Sequence, residues 1–136
     1  MTLPDLPQKN KKKEADFGIR LRHWFEKTKP FPQTIELKQT ETNRFLLSNI
    51  KDNQLAFAHG VRSSTGRFVR VQGMNGESDY IWLKEFPSFF AIKYPDCVCI
   101  LSPEIIEQEK KRGKSITKER AQEVSVKVIK LSTCIA

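Results

Sequence analysis

Glu36 and Lys38 stand on either side of Leu37 in the stretch TIELKQT, residues 34–40, which reads as a β-strand. Residues two apart in a strand face the same side, so the acid and the base emerge together while Ile35 and Leu37 turn to the opposite face. On its own an E-x-K tripeptide is ordinary for a solvated strand face, and it recurs by chance. Here it has company. Glu14 precedes Phe17 by three residues and so falls on the inward stripe of a preceding helix, while Gln54 falls on the inward side of a following one. An inward charge is costly unless it is paired or bound to metal, so three such positions around one strand describe a site. The chemistry that suits them is metal-assisted hydrolysis of a phosphodiester. Carboxylates beside a backbone carbonyl can hold Mg²⁺ at about 2.0–2.1 Å with several waters retained. The cation lowers the pKa of a bound water and neutralises phosphate charge, and a neighbouring lysine orients that water and stabilises the transition state.

The elements that must position these groups follow from hydrophobic spacing and from helix and turn signals. Residues 1–11 carry two prolines and no periodicity and read as a flexible basic arm, ahead of a single domain over 12–136. Phe17, Leu21, Trp24 and Phe25 then fall at i, i+4, i+7 and i+8, the stripe of an amphipathic helix, which Pro30 and Pro32 end. A second helix is expected from a Ser48 cap to a stop at Gly60, with Ile50, Gln54 and Phe57 on its inner face. His59, next to Gly60, suits a helix C-terminus as a cation. His23 lies on the other helix.

Strand-type runs follow: RFVRVQG, DYIWL, SFFAIKY and CVCIL, the last two joined as a hairpin by Pro95 and Asp96. Ser102 and Pro103 supply the cap and first position of a helix, and Thr117 caps another. The closing VSVKVIKL alternates as a strand, with a helix extending from Arg120 as the other option. Trp24 and Trp82 fall in apolar patterns and are expected in the core. The order of elements gives a mixed α/β domain with one central sheet.

Composition limits the partners. With 136 residues, 38% hydrophobic and 29% charged, the chain is long and apolar enough for one folded core. Lys and Arg number 24 against 16 Asp and Glu, leaving +8, a field that steers polyanions, with nucleic acid first among them. A charge that serves only solubility is the alternative. Phosphate contacts are expected from Lys11, Lys12 and Lys13, from Lys110, Lys111, Arg112 and Lys114, and from Arg62, Arg67 and Arg70. No apolar run approaches the roughly 20 residues of a membrane span, and no signal-peptide core opens the chain, so a soluble cytoplasmic protein is expected. Of three cysteines, Cys97 and Cys99 share one face of a buried strand and Cys134 lies far off, so they read as small core residues, not as zinc ligands or disulfides.

The succession KKKEADFGIRLRHWFEK, IELKQT and KDNQLAF resembles the PD-(D/E)xK nucleases, whose core sets a helix with a glutamate before a strand with (D/E)xK and a helix with a glutamine. Together with SDYIWLKEFPSFFAIKYPDCVCIL and SITKERAQEV, it is similar over residues 12–125 to small phage-type Holliday-junction-resolvase-like endonucleases of that superfamily. The resemblance implies a restriction-endonuclease-like α/β fold and a DNA endonuclease dependent on Mg²⁺ or Mn²⁺. It implies Glu36 as metal ligand, Lys38 as catalytic lysine, Glu14 as a further ligand or orienting acid and Gln54 as a supporting residue. It also implies branched DNA as substrate, a homodimer for two symmetric cuts, and a phage-infected or prophage-bearing host.

One departure stands out. Most of the superfamily carries an aspartate before the E-x-K strand, and no acid lies between Glu26 and Ile35 here. Pro95–Asp96 is turn chemistry. Asp79 opens DYIWL, where the similar phage proteins also carry an aspartate, and is the expected replacement ligand. Without it the fold would bind nucleic acid and not cut. An interaction protein whose charge meets an acidic protein partner is the remaining reading.

Overall fold

The computed structural model describes residues 5–28, 33–72 and 76–131, with side chains from 16 onward except that of residue 72. Helix α1 (Asp5–Thr28) leads to strand β1 (Thr34–Gln39). There follow β2 (Arg44–Leu46), a 3₁₀ turn (Leu47–Asn49), α2 (Asp52–Arg62) and the hairpin β3 (Arg67–Gln72) with β4 (Ser78–Leu83). The chain closes with β5 (Ser88–Lys93), β6 (Cys97–Leu101), α3 (Pro103–Arg112), β7 (Ser115–Thr117), α4 (Lys118–Val124) and β8 (Lys127–Lys130). The main sheet runs β1-β5-β6-β8, with β1 parallel to β5 and the other neighbours antiparallel. This is a mixed α/β fold in which helices flank a mixed sheet.

Alternation along the strands assigns each residue to a layer. Ile35 and Leu37 of β1, Phe89 and Ala91 of β5, Val98 and Ile100 of β6 and Ile129 of β8 face α1, where Phe17, Leu21 and Trp24 are buried against them. The other face carries Phe90, Ile92, Cys97, Cys99 and Leu101, covered by Leu55 and Ala58 of α2, Ile106 of α3 and Ala121 of α4. Strands covered on both sides need apolar residues at every position, which is why β6 is the unbroken CVCIL, buried throughout. Cys97 and Cys99 are free thiols in that core, as expected, and burial first, then the neighbouring Cys97, pushes the Cys99 thiol well above its ordinary range. Tyr94 is buried too, and its hydroxyl donates to the Ile116 carbonyl at 3.0 Å, tying β5 to β7.

Several expectations hold. The Pro95–Asp96 turn joins β5 to β6, with Tyr94 N–H donating to Cys97 O at 2.8 Å. Ser102 accepts from Ile105 N–H and Thr117 from Arg120 N–H, each capping its helix. Residues 127–130 form a strand, which settles the alternative left by the alternating closing segment.

Others are corrected. Residues 5–11, expected as an arm, are the first turns of α1. Ser48 sits in the 3₁₀ turn, and α2 begins after Lys51, because Ile50 and Lys51 are extended. That helix passes through Gly60 to Arg62 and ends at Ser63, because Gly60 does not take the positive φ with which a glycine stops a helix. Its buried stripe is Leu55, Ala58 and Val61; Gln54 and Phe57 lie at the margin, half-buried. Trp24 is in the core, but Trp82 is 49% exposed, because β3 and β4 pair only with each other and have no layer behind this face. Pro30, Pro32 and Cys134 lie outside the described residues. Among the described residues no helix is long and apolar enough to cross a membrane.

Candidate active site

Strand β1 is the edge of the main sheet, and its Glu36 and Lys38 rise on the α2 side while Ile35 and Leu37 anchor the other face. Lys38 is the more enclosed of the two, its side chain 17% exposed against 46% for Glu36. A lysine in that setting lays its methylene stem along apolar surface and keeps its ammonium at the margin. The ammonium reaches Glu36 Oε1 at 3.6 Å. The same oxygen accepts from Gln54 Nε2 at 2.9 Å. Gln54 is itself held, since its Oε1 accepts the Lys51 N–H at 3.0 Å. Both ends of the amide are thereby assigned, because the carboxylate needs a donor and the N–H needs an acceptor. Two residues picked out from spacing, Lys38 and Gln54, thus converge on the Glu36 carboxylate.

Glu36 and Gln54 line a cleft of about 320 Å³ between β1, β5 and α2, together with Thr34, Asn53, Phe57, Arg67 and Ser88, and Lys38 meets it through Glu36 Oε1. Thr34 donates to Ser88 across the parallel pair at 2.7 Å. Arg67 enters from the root of the hairpin, its guanidinium 5.2 Å from the centre of the Phe57 ring. An arginine stacked this way keeps its outer donors for an anion. The absence of a Cβ at Gly60 leaves it that path, with the Arg67 Cδ 3.3 Å from where a Cβ would stand.

Asp79 is not among the residues that line the cleft with Glu36. Asp79 pairs with Val71, four rungs along the hairpin from the Arg67–Leu83 pair. At the rise of a strand that is about 13 Å from the root that touches α2. Hairpin register, and not proximity in sequence to a turn, decides this. Glu14 belongs to α1, whose described side chains pack on the opposite face of the sheet, and its own side chain lies outside the described residues. Among the described residues no three His, Cys, Asp or Glu side chains gather. Mg²⁺ nevertheless keeps waters and binds through as few as one or two carboxylates plus substrate phosphate. Glu36, half exposed at a strand edge and facing an open cleft, fits that smaller role.

The basic residues separate into two groups. Arg62 is paired with Glu104 at 2.5 Å and sits over the Phe89 ring, and Glu104 is held below its ordinary range although partial burial pushes it up, because backbone and Arg62 hydrogen bonds outweigh that burial. Lys110 donates to the Ile50 carbonyl at 2.5 Å, and Arg112 meets buried Glu109 at 3.5 Å. Arg62 and Lys110, expected on phosphates, thus hold α2, α3 and the 3₁₀ segment together, while the Arg112 pair lies within α3. His59 lies in the last turn of α2, as expected, and also bonds Glu107 of α3. Arg67, Arg70, Lys111 and Lys114 are exposed. The side chains of Lys11, Lys12 and Lys13 lie outside the described residues.

Spacing did not point to Thr34, Asn53 or Ser88, whose small polar types occur throughout the chain and become site residues only where β1, β5 and α2 meet. Searches of family models, of curated proteins and of solved structures return no match to this chain.

Proposed function

We propose that the chain is a metal-dependent DNA endonuclease with a restriction-endonuclease-like core, acting on branched DNA as a homodimer. The convergence of Lys38 and Gln54 on one oxygen of the Glu36 carboxylate carries this reading. Glu36 supplies the protein carboxylate for Mg²⁺ or Mn²⁺, and Gln54 keeps that carboxylate aimed into the cleft. When bound, the cation lowers the pKa of a water and neutralises phosphate charge. Lys38 holds the attacking water and offsets charge that develops on the phosphoryl oxygens. Arg67 grips a flanking phosphate at the far wall of the cleft.

Cleavage of junction, duplex and single-stranded DNA, each with Mg²⁺ and with chelator, tests this against Glu36→Gln and Lys38→Ala. Each substitution should lower the rate about 100-fold or more while the melting temperature and the affinity for DNA stay close to wild type. Unchanged cleavage by either variant would remove the assignment.

A second reading, a nucleic-acid-binding module that does not cut, is favoured by one observation: the described residues lining the cleft include no carboxylate besides Glu36. It gives the same salt-sensitive binding, with no metal-dependent product from wild type.

A further inference from the structure

The β3–β4 hairpin carries the largest exposed apolar side chains of the described residues. Phe68 is 65% exposed, Tyr80 64% and Trp82 49%. Register puts all three on one face: Phe68 pairs with Trp82, and Tyr80 pairs with Arg70. Phe68 packs edge-on against both neighbours, with ring centroids 4.7 Å from Trp82 and 6.4 Å from Tyr80. The cluster is stiffened, since Arg70 is tied to Ser78 Oγ at 3.0 Å and Trp82 Nε1 lies close to where Gly66 has no side chain. Contiguous aromatic exposure on a small protein marks a contact surface.

The charges of that face decide what it meets. Arg70 is an ionised residue of that face, Lys84 stands next to Trp82 at Gly66, and Asp79, which pairs with Val71, belongs to the other face. Arg67 stands at the hairpin root, on the wall of the Glu36 cleft. The whole molecule carries +8. A two-fold pairing of this face would set two copies of Arg70 and two strongly basic bodies together, whereas an anionic strand with exposed bases meets both the rings and the cation. We infer that the Phe68–Tyr80–Trp82 face is a stacking platform for unpaired bases of a single-stranded segment, with Arg70 at the strand's phosphates. Stacking on aromatic rings is sequence-tolerant and contributes to affinity base by base. The inference rests on the reading that the chain acts on nucleic acid. It adds that the molecule holds the unpaired strand beside the duplex whose phosphate enters the cleft.

Titrating the full chain with an oligothymidylate and with a blunt duplex of equal length, in chelator so that nothing is cut, tests it. Trp24 is buried, at 5% exposure, so Trp82 dominates the quenchable emission. The oligothymidylate should quench it, the duplex should quench it much less, and Trp82→Phe should abolish the signal while retaining binding. Phe68→Ala and Tyr80→Ala should each weaken single-strand binding about 5- to 100-fold and change duplex affinity less than about twofold. Both positions are exposed, and a far-UV spectrum and melting temperature matching wild type confirm the fold. Absence of quenching in wild type, or single-strand affinities unchanged in both variants, overturns the inference. So does a wild-type dimer that Phe68→Ala dissociates without any loss of single-strand affinity, which makes the face a self-association surface. None of these readouts involves cleavage, so loss of the platform and loss of the nuclease reading are told apart.

Discussion

Gln54 and Glu36 are joined by a hydrogen bond that gives one amide two tasks. Its Nε2 donates to Glu36 Oε1 at 2.9 Å while its Oε1 accepts from the N–H of Lys51 at 3.0 Å. The first turn of α2 and the orientation of the β1 carboxylate are therefore coupled. Lys51 cannot cap the helix with its own side chain, which has no acceptor, and the glutamine three residues on reaches back to satisfy the N–H of Lys51 itself.

Gln54→Ala should accordingly cost about 1 kcal/mol of stability, the usual value of a helix-start hydrogen bond, read as a lower denaturant midpoint with unchanged slope. The Glu36 carboxylate would lose its tether to α2, and Mg²⁺-dependent cleavage should fall with it. Gln54→Glu keeps an acceptor for Lys51 but sets two carboxylates against each other, so its cleavage should fall while its stability lies between those of wild type and the alanine variant at neutral pH.

Glu109 is buried at 6% exposure and is gripped by Arg120, with Nε to Oε1 at 3.1 Å and Nη2 to Oε2 at 3.2 Å. It joins α3 to α4. Removing it leaves the guanidinium, one-third exposed, with Glu123 at 3.4 Å, so Glu109→Ala should destabilise by about 1–2 kcal/mol, well under the range for breaking a fully buried pair. Urea titration measures this, and Arg120→Ala should cost a comparable amount.

Lys118 of α4 reaches Asp96 in the β5–β6 turn at 3.1 Å. That hydrogen bond holds the Asp96 carboxyl below its ordinary 3.8 and raises Lys118 above 10.5. A carboxylate with a lowered folded-state pKa contributes stability above its unfolded value and loses it as pH falls through the folded value. Asp96→Asn should therefore melt lower than wild type at pH 7, and the gap should narrow as pH falls below about 4. The loss of the Lys118 contribution belongs above pH 10.5, as the raised ammonium deprotonates.

Gly66 has a φ of +79°, and a Cβ there would lie 2.7 Å from the Leu83 carbonyl oxygen. Both strain and clash oppose any other residue. Gly66→Ala should destabilise the root of the hairpin by about 1–3 kcal/mol. Amide exchange should rise across 67–72 and 78–83, with β5 and β6 keeping their protection.

Local chemistry was enough to place many of the elements. Apolar spacing marked α1, the unbroken CVCIL marked a strand covered on both faces, and Ser102, Thr117 and Pro95–Asp96 marked caps and a turn, because each is settled by atoms a few residues apart. Period-two alternation likewise put Glu36 and Lys38 on one face. Tertiary structure decided whatever depended on what stands behind a residue. Trp82 and Phe68 have the types of core residues, yet their strands pair only with each other and leave them exposed. Asp79 is placed by hairpin register away from the root, and Arg62 and Lys110 meet acceptors on elements distant in sequence. The cleft exists only because β1 pairs in parallel with β5, bringing Thr34 beside Ser88 under α2. Such pairings depend on long-range burial and backbone hydrogen bonding, which no stretch of residues read alone contains.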